Sequence, residues 1–266
     1  MAFQLSGKRV LLTGASGGIG FAVARALHAR GATVVATARR DDVLEQLCAG
    51  LGSRAEALPA DLSDRNEVAA LAERAGAVDV LVANAAVPAS GPLLEFTEDE
   101  LDRALDVNLR APIHLARALA PDMVKRGSGH LVFVSSLSGK AASPGSSLYS
   151  ATKFGMRGMA LGLREDLAGT GVGVTTIFPG FISDAGMFHQ SGAKLPSYVG
   201  TRTPEQVAEA LVGGIEQGRL EVDVAPLGLR LGALAAGVAP AATAALQRRL
   251  GGNDVSEQMA RGQRSS

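Results

Sequence analysis

The amino-acid sequence predicts an α/β domain built on a doubly wound parallel sheet with helices on both faces. Short apolar runs alternate with helical periodicities as far as Pro179, and the runs are nearly continuous in apolar residues, as strands covered on both faces are. Crossovers between parallel strands are right-handed, which leaves the doubly wound topology as the simplest solution. A chain of 266 residues can bury enough apolar surface for one such domain without a disulfide or metal staple. No internal repeat or low-complexity segment competes with this reading.

The elements follow in order. Arg9–Thr13 is a strand whose Val10, Leu11 and Leu12 stop at a glycine-rich segment. Residues 19–30 form a helix with Ala22, Val23, Ala26 and Leu27 on one face, closed by Gly31. A strand at Thr33–Thr37, a helix over 42–49 and a strand over 55–59 come next. They lead to a helix at Arg65–Ala75 and a strand over 78–83. A long helix spans 98–125, broken before Pro112, and is followed by a strand over 130–135. A helix over 147–167 and a strand over 172–178 complete the alternation. The pattern then loosens into a mobile segment over 181–200, before a helix that starts at Thr203-Pro204 with Thr as N-cap. Residues 1–220 are thus expected to carry the sheet, and 221–266 to form an apolar helical extension and a polar tail of the same domain, disordered from Arg261.

Composition removes several classes of function. Acidic and basic residues balance at 26 each, so net charge gives no case for nucleic acid or an anionic membrane. Trp is absent and aromatics are few, which does not suit a base-stacking platform. The lone Cys48 cannot form an internal disulfide, and the N-terminus carries no apolar run before a cleavage site, so a cytoplasmic protein is expected. His28, His114, His130 and His189 lack metal-ligand spacing, and neither a metal nor a catalytic histidine is expected.

The segment Thr13-Gly14-Ala15-Ser16-Gly17-Gly18-Ile19-Gly20 lies where the first strand turns into the first helix. Glycines there let backbone amides approach a pyrophosphate, and the helix N-terminus adds free N–H donors and partial positive charge. A glycine cluster alone could mark a tight turn; its place after a buried strand favours dinucleotide binding. An acid at the end of the second strand would select NAD(H) through the ribose hydroxyls. The sequence there is Thr37-Ala38-Arg39-Arg40, and Arg39, with Arg40 as a second candidate, suits a 2′-phosphate. NADP(H) is therefore expected over NAD(H).

Tyr149 and Lys153 are four apart at the start of a helix and share a face. A nearby ammonium, with an oxidised nicotinamide, would lower the phenol pKa from about 10 and let it exchange a proton with an alcohol or carbonyl oxygen. Ser136 stands thirteen residues earlier, at the carboxyl end of a strand where ligands bind in open α/β sheets. It could hold the substrate oxygen, and one of Ser135 and Ser136 is expected to be only a turn residue.

Together these segments resemble the short-chain dehydrogenase/reductase family over roughly residues 5–215. The resemblance implies a Rossmann-type fold and roles for further positions. Gly14, Ser16, Gly18, Ile19 and Gly20 would form the cofactor turn, and Asp61-Leu62 would contact the adenine. Asn84 lies in an Asn-Ala-Ala stretch similar to the family's segment beneath the cofactor, and Pro179-Gly180 would guide the nicotinamide. Tyr149 would be the general acid/base, with Ser136 polarising the carbonyl. Lys153 would lower the Tyr149 pKa and bind the nicotinamide ribose, and Asn108 would hold a relay water. Hydride would pass between nicotinamide and a carbonyl or alcohol carbon. A homodimer or homotetramer through helices such as 101–123 is implied as well.

One departure and two further segments bear on specificity. Pro179-Gly180-Phe181-Ile182-Ser183-Asp184 lacks the family's Thr at the last position, leaving Ser183 and Asp184 as substitutes for a nicotinamide contact. The lid over 181–199 carries Phe181, Ile182, Met187, Phe188, Leu195 and Tyr198, which suits an apolar or bulky substrate or simple packing. The apolar stretch 224–246 contains Arg230, which would cost ~2.5–3.5 kcal/mol at a bilayer centre. It is read as cover for the pocket or a subunit interface in preference to peripheral membrane contact. The rival reading of the whole chain is a non-catalytic module that senses nicotinamide dinucleotide.

Overall fold

Alternate residues of each strand serve opposite faces of one sheet. The computed structural model describes residues 3–196, 199–249, 258–259 and 262. Its strands are β1 (Arg9–Thr13), β2 (Thr33–Thr37), β3 (Ala55–Ala57), β4 (Val80–Ala83), β5 (Gly129–Val134), β6 (Val172–Pro179) and β7 (Glu221–Val224). All pair in parallel, in the order β3-β2-β1-β4-β5-β6-β7, as the doubly wound reading requires.

The helices are α1 (Gly18–Ala29), α2 (Asp41–Leu51), α3 (Arg65–Ala75), α4 (Glu98–Leu105), α5 (Ala111–Arg126), α6 (Ser147–Asp166), α7 (Gly186–Ser191), α8 (Pro204–Glu216), α9 (Leu227–Val238) and α10 (Pro240–Arg249). Val10, Leu12, Val34, Val80 and Val132 face one core with Val23 and Leu27 of α1 and Leu211 of α8. Their neighbours Leu11, Val35, Leu81 and Phe133 face a second core with Leu71 of α3, Leu115 and Met123 of α5 and Met156 of α6. Burial on both faces is why the strands are apolar at successive positions.

Local signals fix the helix starts. Asp64 accepts from the N–H groups of Asn66 and Glu67 at 2.7 and 3.2 Å. Thr97 and Thr203 form capping boxes with Glu100 and Gln206, and Pro204 sits in the first turn as expected. The long helix expected over 98–125 is one continuous run whose middle, residues Asp106–Arg110, widens into a π-turn. The expected break before Pro112 thus takes the form of a bulge. Ala111 donates to the Asp106 carbonyl five residues back, and Pro112 has no N–H for the Asn108 carbonyl four residues back.

Glu221–Val224 lies in the segment expected as helical extension, yet it is the seventh strand of the sheet. Val222 and Val224 enter the core while Glu221 and Asp223 face ion-pair partners. Only after this strand does the helical extension begin, as α9 and α10. Tyr198 lies outside the described residues. Of the tail beyond Arg261 only residue 262 is described, while Gln258 just before it accepts a hydrogen bond from the Lys194 N–H at 3.0 Å.

One buried group makes stability depend on pH. His130 on β5 is 2% exposed, and its Nε2 lies 2.8 Å from Thr175 Oγ1. That hydroxyl donates to the Arg219 carbonyl at 2.6 Å, so Nε2 carries the hydrogen of the His–Thr bond. Burial, with the Arg164 charge, pushes the imidazole from 6.5 down to about 4. The unfolded chain therefore takes up a proton below pH 6.5 that the folded chain refuses until about pH 4. The contribution is complete above pH 6.5 and is lost as pH falls toward 4. We expect the unfolding free energy to drop by about 2 kcal/mol between pH 7 and pH 5 through this residue. Denaturant titrations of His130→Gln, which keeps an N–H donor, should lose that part of the slope; an unchanged slope would assign it elsewhere.

Candidate active site

The carboxyl ends of β1 and β4 diverge at the point where strand order reverses, which is where doubly wound sheets bind ligands. Thr13 closes the base of this gap. Its hydroxyl accepts from the backbone N–H groups of Asn84 and Ala85, both at 3.0 Å. The Asn84 amide returns the tie, donating to the carbonyls of Thr13 at 3.0 Å and Gly14 at 3.2 Å. Thr13 was not singled out in the sequence, although a hydroxyl residue ending a strand directly before a glycine cluster is a usable signal.

The glycine turn needs its glycines. Gly14 has φ +68°, and a Cβ there would approach Ala85 Cα to 2.7 Å. A Cβ on Gly20 would strike the Gly14 carbonyl, and one on Gly18 would strike Ala185 of the lid. Gly17, the N-cap of α1, offers no side chain to the first-turn N–H groups, whereas α3, α4 and α8 are all capped by side chains. An uncapped twelve-residue helix opening onto a cleft is a ready site for a pyrophosphate, so the chain fits a dinucleotide here.

Gly14, Ser16, Gly18, Ile19, Gly20, Arg39, Asp61, Leu62, Asn84, Ser136, Tyr149, Lys153, Pro179 and Gly180 all line one cleft of ≈ 1810 Å³. At its adenosine end Arg40 is occupied, donating to the Ser16 carbonyl at 2.9 Å, while Arg39 is exposed at the rim. Burial works against the Asp61 charge. Hydrogen bonds from Ser63 and the Arg39 and Arg103 guanidinium groups nevertheless hold its carboxyl below the usual range. Asp61 Oδ1 accepts from the Ser63 N–H and hydroxyl at 2.9 and 2.7 Å.

The two serines after β5 separate cleanly. Ser135 is buried and donates to the Lys153 carbonyl at 3.1 Å, a structural tie to α6. Ser136 faces the cleft, accepts from the Ser138 N–H at 3.1 Å and lies near enough to the Tyr149 hydroxyl to lower its pKa. Lys153 is 1% exposed; its ammonium donates to the Val134 carbonyl at 3.0 Å and lies 5.6 Å from the centre of the Tyr149 ring. Burial lowers Lys153 to about 8. The expected lowering of Tyr149 is not what the protein alone produces. Burial raises the phenol to about 12, and Ser136 only moderates this.

Asn108 sits in the π-turn and is fully buried, but its amide does not reach Tyr149. Both ends bond to Val87, accepting from its N–H at 2.7 Å and donating to its carbonyl at 3.0 Å. Ser183 and Asp184 are absent from the cleft wall. Ser183 turns toward the Arg202 carbonyl, to which its N–H donates at 2.9 Å, and Asp184 takes a left-handed φ of +62°. The lid places Phe181, Ile182, Met187, Phe188 and Leu195 on the cleft, with the rings of Phe181 and Phe188 5.0 Å apart. Leu229 completes the wall from the apolar stretch read as cover for the pocket, and Met259 adds to it with no local sequence signal.

Residues 8–196 match the family described as short chain dehydrogenase. The chain is 38% identical over 227 residues to the ketoacyl reductase HetN of Nostoc sp., spanning 83% of this chain and 79% of that protein. It is 41% identical over 187 residues to nodulation protein G of Rhizobium sp., spanning 69% and 76%. Among solved structures, a short-chain dehydrogenase from Sphingobium yanoikuyae in complex with NADPH superposes with TM-score 0.77 at 31% identity, covering 85% of this chain and 92% of that one. A metagenomic short-chain oxidoreductase in complex with NADP gives 0.70 at 33% identity, covering 84% and 97%. Likeness in sequence and in fold over most of both chains in each pair places this protein in the short-chain dehydrogenase/reductase family, oxidoreductases that act on CH–OH groups with NAD(P).

Proposed function

We propose that the chain is an NADP(H)-dependent carbonyl reductase or alcohol dehydrogenase for apolar or bulky substrates, with Tyr149 as the general acid/base. The observation that carries this reading is the meeting of Ser136, Tyr149 and Lys153 in one cleft with an uncapped glycine turn. A dinucleotide-sensing module would have no use for that cluster, which favours turnover over sensing.

The nicotinamide supplies or accepts the hydride. The chain's own residues hold the partners and manage the proton. A phenol raised toward 12 is protonated at neutral pH, the state that donates to a carbonyl oxygen. Ser136, beside Tyr149 on the cleft wall, would hold that same oxygen and offset its developing charge. Once the proton leaves, the Lys153 ammonium beneath the ring stabilises the phenolate. Asn108 acts through the turn that contains it. With its amide engaged by Val87 and Pro112 supplying no N–H, the Asn108 carbonyl is the group suited to a relay water.

Arg39 at the adenosine rim supports NADP(H), as do the NADPH and NADP named in the structures of its relatives. Val87, Ala89, Phe96, Phe188 and Leu195 on the substrate side support an apolar substrate. Exposed Ile113 and Val124 on α5, with Phe154 and Leu161 on α6, support a homodimer or homotetramer through these helices.

The test is oxidation of NADPH and NADH against aliphatic aldehydes, cyclic ketones and acyl-type ketones. Tyr149→Phe should cut kcat/KM by roughly 10²–10⁴-fold while NADPH binding, read by fluorescence, persists. Undiminished turnover would remove Tyr149 from the mechanism, and tight NADPH binding by the natural chain with no turnover would favour the sensor. Arg39→Ala should raise the KM for NADPH by roughly 10–100-fold and leave that for NADH nearly unchanged; equal effects on both would deny Arg39 the 2′-phosphate. Light scattering should find an oligomer that Phe154→Glu weakens, and a monomeric natural chain would refute this assembly.

A further inference from the structure

The helix α9 has two apolar faces. Gly228, Leu229, Gly232 and Ala233 line the cleft. Leu227, Leu231, Leu234 and Val238 point the other way and are 65, 56, 59 and 88% exposed. At the α-helical period these four side chains fall within about 60° of one another, a single outward stripe two and a half turns or more in length. Scattered exposed leucines need no explanation, but a stripe of this kind does.

Charge identifies what covers it. From Ala225 to Asn253 the sequence has no Asp, Glu or Lys, and its only charges are Arg230, Arg248 and Arg249. The chain as a whole is neutral, so this segment is a local basic and apolar element. Arg230 flanks the stripe on the helix, lies 3.9 Å from Asp223, and keeps a half-exposed side chain able to extend toward solvent. A two-fold contact through α9 would bring the Arg230 side chains of the two copies toward each other, and the helix itself carries no acid to pair with them. An anionic lipid surface meets both requirements, taking leucines among the acyl chains and arginines among the headgroups. Among the described residues no helix is long and apolar enough to cross a membrane, which leaves docking on the surface.

We propose that α9 docks the protein on anionic phospholipid membranes through Leu227, Leu231, Leu234 and Val238, flanked by arginine, and so holds the cleft wall formed by its other face at the lipid boundary. This docking does not depend on the chemistry assigned to Tyr149, because binding is read without substrate.

The test is flotation of the full chain with vesicles of phosphatidylcholine alone and of equal parts phosphatidylcholine and phosphatidylglycerol. The chain should float with the mixed vesicles and be released by high salt. Leu231→Glu combined with Leu234→Glu should lower the bound fraction by about tenfold per side chain, with the circular dichroism spectrum unchanged. Leu94→Glu, at a site 98% exposed but far along the chain from α9, should still float. The proposal fails if the natural chain does not float with mixed vesicles, or if the double variant floats as well as the natural chain. It also fails if the variant's only effect is to reduce an oligomer, since the stripe would then be covered by a second copy.

Discussion

The site depends on the seam between β1 and β4. Parallel strands at a switch point have no crossover above them, so their carboxyl ends leave polar backbone facing a gap. The Thr13 hydroxyl and the Asn84 amide satisfy four of those groups across the seam. They also hold Gly14 against Ala85, so the glycine turn starts from a fixed place and α1 points its uncapped N-terminus at the cleft. Loosening this seam would displace the cofactor turn, the Asn84 segment and the neighbouring β5 serines together.

Around that seam the protein keeps Lys153 fully buried and Tyr149 half-buried at the cleft wall. Lys153 has one fixed acceptor, the Val134 carbonyl, and its ammonium lies close under the Tyr149 ring. Burial works against charge on both, pushing the phenol up and the ammonium down. An arrangement that resists charge in its resting form makes the phenol a proton donor first. A positive charge held 5.6 Å from the ring centre then favours the phenolate. Asn108 contributes from further off, bracing Val87 from within a π-turn that departs from α-helical bonding just before Pro112.

A second polar cluster steadies the substrate side. Lys140 pairs with Asp223 at 2.6 Å and Glu221 at 2.9 Å, and Arg157 of α6 pairs with Glu221 at 2.6 Å. Lys140 also lies 4.0 Å from the centre of the Phe178 ring. These contacts bind the turn after Ser136, the helix that carries Tyr149 and Lys153, and the edge strand β7 into one unit. Gly180 joins it by donating to the Val224 carbonyl at 3.0 Å, where a larger residue would press on Ala225. The cleft wall from Ser136 to Gly180 is therefore shaped by a strand with only four residues.

Much of this was legible from sequence because it is local. Continuous apolar runs, the glycine cluster after β1, the Thr203-Pro204 start and the four-residue spacing of Tyr149 and Lys153 each act over one or two turns of chain, where steric and hydrogen-bond rules decide the outcome. Tertiary structure decided the rest. Glu221-Val222-Asp223-Val224 is too short and too acidic to read as a strand until Lys140 and Arg157, 83 and 64 residues away, neutralise its outer face. Which of Ser135 and Ser136 serves the site, that Arg40 is held by Ser16 while Arg39 stays at the rim, and that burial outweighs the effect of Ser136 at Tyr149 all depend on neighbours distant in sequence. The sequence by itself determined the elements and the residue types available for chemistry; the packed structure decided their protonation and their partners, because desolvation and long-range pairing exist only once the chain is folded.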